Sequence, residues 1–572
     1  MIQIKLLIIN VGLNFLLFND TSKEIRDLQT QLGSSQLPIN SIRAEKMTSK
    51  APTTTTSTRN LRPTLPASPK NANLAESVTR FGAVPNDGID DTVAIQKAID
   101  TIADKGGGSV TFPPGTYNVS IQRQGQQLQA LKLRSGIRLA SSSTQGATIK
   151  LAARQGNYEA IMGTALYGTP LTDFVIEGLT IDSNGQNNPV LVAPASNNDH
   201  SSDFGDAKLS LPRAAFRAYS GKRIRIDQTR FTNQNAVWSV VVNGKPDEMM
   251  DVAITNSRFD NVGGNAIDFD HSSIYTSGVR MLVEKNIFVT RFGTGTKGAR
   301  TAIEIHGDDQ TIRGNTIKGY STGINVTGAG TPTSQRQLYQ DNVIEGVNTG
   351  FMLWCNIYPG SNPQQPGLQN ITIRHNTVKI NSDGWLMAKL VSDKGPSAGI
   401  VLEANSDASI QDLTIADNRI DFVNSKPIDY WHDHFSSGIT LWKYTNQDTP
   451  IERAIVSGNH ITNSPGAGIW SNARLGGKIE NNLIVNPARS DQLSADNSGF
   501  SHVGIYLEPN SNNQNLYIQQ NTIIDTSKES QLKYGIVANS KCIKNCVIRQ
   551  NTIKAPGATT VHTNASWKSY NR

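Results

Sequence analysis

A short pattern recurs along the chain and constrains its fold more than any other feature of the sequence. It consists of a small residue, an aliphatic residue or Phe, any residue, and usually a second aliphatic residue. In a β-strand the aliphatic pair points to one face, and the residues that alternate with it point to the other. The repeat therefore predicts a stack of similar coils. Its copies begin at Ala266, Ala302, Gly323, Gly350, Gly399, Gly438, Gly468, Gly504 and Gly535.

Asparagines alternate with this pattern and mark a second position in every coil. An Asn tolerates the left-handed conformation, and its amide can bond to stacked neighbours, so we expect one Asn per coil at one corner. The pattern extends backward to Gln228, and less regularly to the coil at 215–219. The Asn markers are Asn256, Asn286, Asn315, Asn342, Asn376, Asn418, Asn459, Asn482, Asn521 and Asn551.

The N-terminal part of the chain differs in composition from the repeats. Residues 1–18 are apolar, which predicts a signal peptide or a membrane anchor and a secreted or cell-surface protein. Residues 19–75 form a low-complexity linker that is rich in Ser, Thr and Pro. We assign 76–572 to one catalytic domain, with a cap at 76–117 and coils at about 118–565.

The cap carries a family resemblance. The stretch FGAVPNDGIDDTVAIQKAID, followed by GGGSVTFPPGTY, resembles the N-terminal cap and first coil of the pectate-lyase-like right-handed parallel β-helix superfamily. The resemblance implies an all-β fold, a single-stranded right-handed parallel β-helix (solenoid) with a short N-terminal capping helix. Because this superfamily includes lyases, hydrolases, epimerases and phage tailspikes, the resemblance leaves the reaction open.

Acidic residues gather in two of the repeats, at 266–270 and 302–306. If these are strands of consecutive coils, Asp268 lies beside Glu304 and Asp270 beside His306, at a spacing of roughly 4.8 Å. Carboxylates that repel one another acquire different pKa values and can serve as acid and base. We therefore predict Asp268, Asp270, Glu304 and His306 as catalytic residues.

The same outward face is rich in aromatic side chains, on which the apolar faces of sugars can pack. The net charge of +7 suits a polyanionic partner, but the basic residues are spread along the chain. We expect a monomer that binds a polysaccharide and no nucleic acid. The predicted substrate-binding residues are Arg217, Tyr219, Trp238, Trp354, Trp442, Trp470 and Tyr506.

Three functions fit these residues. The first is glycosidic hydrolysis by a carboxylate pair without a cofactor, and both separations known for such pairs are available. The second is β-elimination or C5-epimerisation of a uronate polymer, in which a lyase would bind Ca²⁺ at Asp268, Asp270 and Glu304. The D-x-H motif of C5-epimerases is similar to this stretch, but His271 stands one place late. The third is a non-catalytic, adhesive β-helix of the tailspike kind.

The three cysteines cannot form a disulfide framework. Cys542 and Cys546 are close enough in sequence to pair locally, and we expect Cys355 to be an ordinary buried residue.

Overall fold

Strands dominate the structure, a computed structural model. It contains one α-helix among the described residues, Thr92–Asp104 (α1), and two 3-10 turns, Val78–Phe81 and Gly185–Asn187. Within these same residues no helix is long and apolar enough to span a membrane. The predicted signal peptide or anchor and most of the predicted linker lie outside the described residues. The described residues are 63–66, 73–124, 127–143, 146–156, 158–164, 169–188, 213–234, 238–244, 248–261, 272–290, 301–329, 334–356, 367–381, 398–404, 410–423, 436–443, 450–489, 502–509, 512–526 and 531–570.

The strands form three faces of a parallel solenoid, which we name A, B and C. Face A consists of Gln127–Lys132, Ala160–Gly163, Ala214–Tyr219, Trp238–Asn243, the first half of Ser272–Glu284, Thr301–Asp308, Thr322–Ala329, Thr349–Asn356, Ala398–Ala404, Ile439–Lys443, Ile469–Ser471, Val503–Leu507, Tyr534–Ala538 and Thr559–Thr563. Face B consists of Ala75–Ser77, Gly108–Phe112, Ile137–Ser141, Leu171–Glu177, Gly221–Asp227, Met249–Thr255, the second half of Ser272–Glu284, Thr311–Arg313, Ser334–Gln340, Leu368–Arg374, Ile410–Ala416, Pro450–Ser457, Arg474–Glu480, Leu516–Gln519, Val547–Arg549 and Lys568–Tyr570.

Face C is a separate sheet with one strand from each coil. It consists of Gly115–Val119, Ala147–Leu151, Leu179–Asp182, Arg230–Thr232, Arg258–Asn261, Ile287–Thr290, Thr316–Lys318, Val343–Val347, Thr377–Ile380, Arg419–Phe422, His460–Thr462, Leu483–Val485, Thr522–Ile524 and Thr552–Lys554. Three short strands lie beside the faces: Gln122–Gln124, Asn512–Gln514 and Lys541–Lys544. The predicted parallel β-helix is confirmed.

The predicted capping helix, α1, covers the first coils with its apolar side. Its Ile95, Ala98, Ile99 and Ile102 are buried in the main core. The backbone N–H of Thr92 donates to Asp90 Oδ1 at 3.0 Å, which satisfies one of the free amides at the start of the helix. Burying this apolar stripe closes the N-terminal end of the core.

The small residue of the repeat stands where faces C and A meet inside the core. A Cβ atom at Gly399 would come within 2.4 Å of Ile420 Cγ2, a distance that real carbon atoms do not reach. The following aliphatic residues, such as Ile400 and Leu402, are fully buried. The first residue of the repeat must therefore be small, because a β-branched side chain of face C occupies the space that a larger residue would need.

The asparagine ladder is confirmed from Asn286 to Asn551. At one step the backbone N–H and the Nδ2 of Asn342 both donate to Asn376 Oδ1, each at 3.0 Å. Asn342 Nδ2 also donates to the carbonyl oxygen of Ile312 at 3.0 Å. Each ladder amide therefore satisfies backbone groups of neighbouring coils that would otherwise be buried without partners.

Two details of the predicted ladder are wrong. In the earlier coils its positions belong to Ser257 and Thr229, since Ser257 N donates to Asn286 Oδ1 at 2.9 Å and Thr229 N to Ser257 Oγ at 3.1 Å. Asn256 and Gln228 are the residues before these, with φ of 50° and 48°. The left-handed turn is thus made by the residue preceding each ladder position, and the ladder Asn itself acts through hydrogen bonds.

Aspartate and arginine alternate from coil to coil along one column of face B. All members have positive φ, and Asn370 interrupts the alternation: Asp173, Arg223, Asp251, Arg280, Asp309, Arg336, Asn370, Asp412 and Arg453. Arg280 donates to both oxygens of Asp251, at 2.7 and 2.9 Å. Because opposite charges alternate, an arginine in this column attracts the aspartates of the coils on both sides.

The cysteines behave as expected. Cys542 and Cys546 form a disulfide, and Cys355 is a free, buried residue of the core.

Replacing Asn376 with Ala should destabilise the solenoid. The change leaves the backbone N–H and Nδ2 of Asn342 without their acceptor inside the core. We expect the free energy of unfolding to fall by about 2–4 kcal/mol, because each buried unpaired donor costs about 1–3 kcal/mol. Chemical denaturation measures the loss. Asn73→Ala at an exposed position is the control and should change little; an equal loss in both variants would contradict the ladder's role.

Asp251→Asn should destabilise the protein in a pH-dependent way. Burial raises the pKa of Asp251, but hydrogen bonds from Arg280 and from the backbone N–H of Thr64 outweigh it, so its pKa lies below the ordinary value. The carboxylate then contributes stability above the unfolded-state pKa of about 3.9, and this contribution is lost as the pH falls through the folded-state pKa.

We expect a loss of about 1–2 kcal/mol near neutral pH, reduced by solvent screening of Arg280, which is 33% exposed. The difference between wild type and variant should shrink below about pH 4. Asp412→Asn, which breaks a more exposed pair with Arg453, should cost less. A difference that stays constant in a pH series of thermal denaturations would refute the assignment.

Candidate active site

Glu304 and His306 lie on the outward side of face A, in the strand Thr301–Asp308. They alternate with the buried Ile303 and Ile305, as the sequence predicts. Their strand neighbours in the next coils are Tyr275 and Ser277 on one side, and Asn325 and Thr327 on the other. The prediction that Asp268 pairs with Glu304, and Asp270 with His306, is therefore wrong.

The register of the coil that contains Tyr275 follows from its inward-facing residues and from the corner at Gly278. Ile274 and Thr276 stack on Ile303 and Ile305, and Gly278 stacks on Gly307, where a Cβ would come within 2.2 Å of the carbonyl oxygen of Gly278. A signal in the sequence agrees: Ser273 precedes its ladder Asn by 13 residues, and Ala302 does the same. The predicted coil begins at Ala266 instead, which breaks this spacing.

The observed register also determines where Trp238 lies relative to Glu304. Trp238 pairs with Ser272, and the column that leads to Glu304 runs through Arg217, Val241 and Tyr275. Trp238 therefore lies three positions before Val241, the residue of its strand that belongs to the column of Glu304.

Asp268 and Asp270 lie outside the described residues, so their catalytic roles remain predictions. The same holds for the Ca²⁺ site predicted at Asp268, Asp270 and Glu304. Within the part of the chain that the structure describes, no three His, Cys, Asp or Glu side chains are grouped so as to hold a metal ion.

Glu304 and His306 form a hydrogen-bonded pair. His306 Nε2 lies 3.0 Å from Glu304 Oε1, and Ser272 Oγ donates to Glu304 Oε2 at 3.3 Å. The His306 and Glu304 side chains are 21% and 17% exposed, so the pair is shielded but reachable from solvent. When the neutral imidazole donates its Nε2–H to the carboxylate, Nδ1 carries the lone pair and can accept a proton.

Aromatic rings continue from this pair toward the N-terminal coils. The Tyr275 ring lies 4.9 Å from the His306 ring between centroids, and the Trp238 ring lies 5.5 Å from Tyr275. Together with Ala160, Ala214 and Val241, these rings form a small apolar patch on the outside of face A. The patch places a phenol directly beside the Glu304–His306 pair.

Polar atoms without partners flank the pair. Trp238 Nε1 and Asn325 Oδ1 are both buried and make no hydrogen bond. A buried polar atom that lacks a partner costs free energy, so such atoms call for an explanation such as a bound ligand or water. One is a donor and the other an acceptor, which suits a ligand rich in hydroxyl groups.

The predicted aromatic row is not an exposed surface along its whole length. Trp442, Trp470 and Tyr506 are 7%, 3% and 5% exposed and belong to a second apolar cluster on the outside of face A. Trp354 is partly buried against this cluster. Their predicted part in substrate binding stays a prediction, and among these aromatics only Trp238 contacts the patch beside Glu304 and His306.

Arg217 and Tyr219 lie on face A, N-terminal to the pair. The Arg217 guanidinium stacks on the Tyr219 ring, 3.8 Å from its centroid. Burial lowers the pKa of Arg217 to about 10, while Glu159 opposes this shift. Arg217 stands two coils from Tyr275, so it can contact a long substrate but not the Glu304–His306 pair.

The arrangement can move protons. It offers an imidazole oriented by a carboxylate and a phenol beside it, all in one shielded patch. Sequence reasoning missed Tyr275, because the coil containing it was placed in the wrong register, and it missed the orphan amide of Asn325.

Comparison with known proteins agrees with the fold. A family model described as "Right handed beta helix region" matches residues 240–449. Mannuronan C5-epimerase AlgE6 of Azotobacter vinelandii is 36% identical over 113 residues, which cover 19% of this chain and 13% of that relative. For AlgE5 of the same organism the identity is 26% over 274 residues, 47% of this chain and 25% of the relative. The chain thus aligns with a minor part of these relatives' length.

Among solved structures, a tailspike protein of E. coli bacteriophage HK620 superposes with a TM-score of 0.58 at 15% identity, over 86% of this chain and 80% of that one. A complex of that tailspike with a pentasaccharide gives a TM-score of 0.51 at 15% identity, over 85% and 80%. At this identity the likeness concerns the fold. The chain is therefore a right-handed parallel β-helix protein, similar in architecture to these polysaccharide-related proteins.

Proposed function

We propose that this protein acts on an extracellular uronate polysaccharide and that its reaction begins by removing the proton at C5 of a uronate unit. The observation that carries the proposal is the Glu304–His306 pair with Tyr275 beside it. The mannuronan C5-epimerases among its relatives support the same chemistry.

His306 acts as the base in this scheme. Its Nδ1 takes the C5 proton, and Glu304 holds the tautomer and stabilises the imidazolium that forms. The electron pair left at C5 is delocalised into the uronate carboxyl group. Tyr275, whose ring contacts that of His306, is the second proton carrier.

Two outcomes share this first step. If a proton returns to the opposite face of C5, the product is the C5 epimer. If the glycosidic oxygen leaves C4 instead, the chain is cleaved and an unsaturated uronate forms. Epimerisation is the outcome that the curated relatives favour.

Hydrolysis by a carboxylate pair, our first expectation from the sequence, needs a second carboxylate near Glu304. The described strand neighbours of Glu304 are Tyr275 and Asn325, which are not acidic. Asp268 and Asp270 remain the predicted partners for that reaction, and the absence of a cofactor remains a prediction with it.

Isotope exchange tests the proposed step. With polymannuronate in deuterated water, the wild type should introduce deuterium at C5, detected by proton NMR. His306→Gln and Tyr275→Phe should reduce this exchange by about 100-fold or more, because each removes a positioned proton carrier. Glu304→Gln should reduce it as well, and His375→Gln, an exposed histidine paired with Asp341 and Asp417, is the matched control.

The products distinguish epimerisation, elimination and hydrolysis. Deuterated guluronate units would support epimerisation, and ultraviolet absorbance from an unsaturated product would support elimination. New reducing ends with neither deuterium at C5 nor an unsaturated product would refute the proposal in favour of hydrolysis.

Trp238→Phe should weaken substrate binding without destabilising the fold. The Phe ring can still pack on Tyr275, while the unpartnered buried Nε1 donor is removed. We expect about a tenfold loss of affinity for oligomannuronate, roughly the contribution of one hydrogen bond, with an unchanged or higher melting temperature.

Trp567→Phe is the matched control, because Trp567 Nε1 donates to the carbonyl oxygen of Ser540 at 2.7 Å. That variant should lose stability and keep its affinity. If calorimetry finds full affinity in the Trp238 variant, the orphan donor does not bind substrate.

A further inference from the structure

Three side chains on the N-terminal coils of face A each hold a buried polar atom that has no hydrogen-bond partner. Gln129 and Glu159 are 6% and 8% exposed. Gln129 Oε1, Glu159 Oε2 and Arg217 Nε are buried and make no hydrogen bond. By contrast, the buried carboxylate of Asp227 accepts hydrogen bonds from Thr255, Asn256 and Arg225.

The fold holds these side chains in place through their backbones. Glu159 N donates to the carbonyl oxygen of Leu128 at 2.7 Å, and Ala214 N donates to that of Glu159 at 3.0 Å. Gly163 pairs with Arg217, and a Cβ at Gly163 would lie 3.2 Å from Gln129 Oε1. Gln129 therefore extends over a residue without a side chain, next to Arg217.

Glu159 and Arg217 influence each other but do not form an ion pair. Burial raises the pKa of Glu159, and the positive charge of Arg217 partly opposes the rise. No hydrogen bond or salt bridge connects the two described side chains, although the same charges are close enough to interact. The donor and the acceptor therefore do not bond to each other, and each retains an unpaired atom that a third group can satisfy.

We propose that Gln129, Glu159 and Arg217 form a subsite that binds the hydroxyl edge of a sugar unit in the polysaccharide. A hydroxyl group can donate to Glu159 Oε2 or Gln129 Oε1 and accept from Arg217, which satisfies the unpartnered atoms. A uronate carboxylate fits less well, because two acceptor oxygens would face it. The subsite therefore binds hydroxyl groups, and other residues bind the uronate carboxylates.

The subsite is remote from the proton-transfer residues but on the same surface. Arg217 is two coils, about 10 Å, from Tyr275 along one column of face A. The apolar patch of Ala160, Ala214, Val241, Trp238 and Tyr275 connects them. A polysaccharide bound along this face would contact both, so the inference rests on the proposed polysaccharide substrate and adds a position for a neighbouring unit.

Binding of oligomannuronates of increasing length, measured by calorimetry, tests the subsite without turnover. In the wild type the affinity should rise when the oligomer becomes long enough to reach Glu159. In Glu159→Gln and Gln129→Leu this gain should fall by about tenfold, while the affinity for the shortest oligomers stays unchanged. Glu177→Gln on face B, where Glu177 pairs with Arg138, is the control for binding.

Stability distinguishes a binding role from a structural one. Glu159→Gln removes an unpaired buried charge, so its melting temperature should equal or exceed that of the wild type, whereas Asp227→Asn should melt lower. A destabilised Glu159→Gln, or a length-dependent gain that persists in it, would overturn the subsite. So would wild-type affinity that does not increase with length.

The experiments can refute the subsite and the proton chemistry independently of each other. A length-dependent gain that depends on Glu159, with neither C5 exchange nor an unsaturated product, would support the subsite and refute the proton chemistry. Exchange that depends on His306 but shows no length effect would do the reverse.

Discussion

Parallel backbone pairing between successive coils is the constraint on which the rest of this structure depends. Each coil repeats the hydrogen-bond register of the one before it at a spacing of roughly 4.8 Å, so residues at equivalent positions form straight columns. Inside the solenoid the columns must be apolar or satisfied, as in the aliphatic rows and the asparagine ladder. Outside it, the same regularity brings together residues that are far apart in sequence, such as Tyr275 and Glu304.

Two sets of polar groups in this protein differ in their hydrogen bonding. Those of the ladder, of the Asp–Arg column and of Asp227 are satisfied by several partners, and they stabilise the stack. Those on the outside of face A include Glu159, Gln129, Trp238 and Asn325, whose buried atoms have no partner. A hydroxyl-rich ligand would supply partners for these four buried atoms, because a hydroxyl group both donates and accepts hydrogen bonds.

Face A also explains why aromatic residues are frequent on the outer surface. Toward the C-terminal coils they pack against one another in a buried apolar cluster that includes Trp442, Trp470 and Tyr506. Toward the N-terminal coils Trp238 and Tyr275 form a smaller patch beside charged residues. The same residue types thus serve packing in one region and border a polar, reactive patch in the other.

The sequence by itself determined the solenoid, the capping helix, the ladder from Asn286 onward and the outward direction of Glu304 and His306. These features follow from two local rules: side chains alternate with a period of two along each strand, and one small residue stands where faces C and A meet. Because both rules recur in every coil, they can be recognised in the sequence. Only the tertiary structure decided which residue lies beside Glu304. Two segments, at 266–270 and at 273–276, both offer a small residue followed by aliphatic or β-branched positions. The choice between them depends on the stacking of Gly278 on Gly307 and on the filling of the core by Ile274, contacts between coils that no single coil reveals.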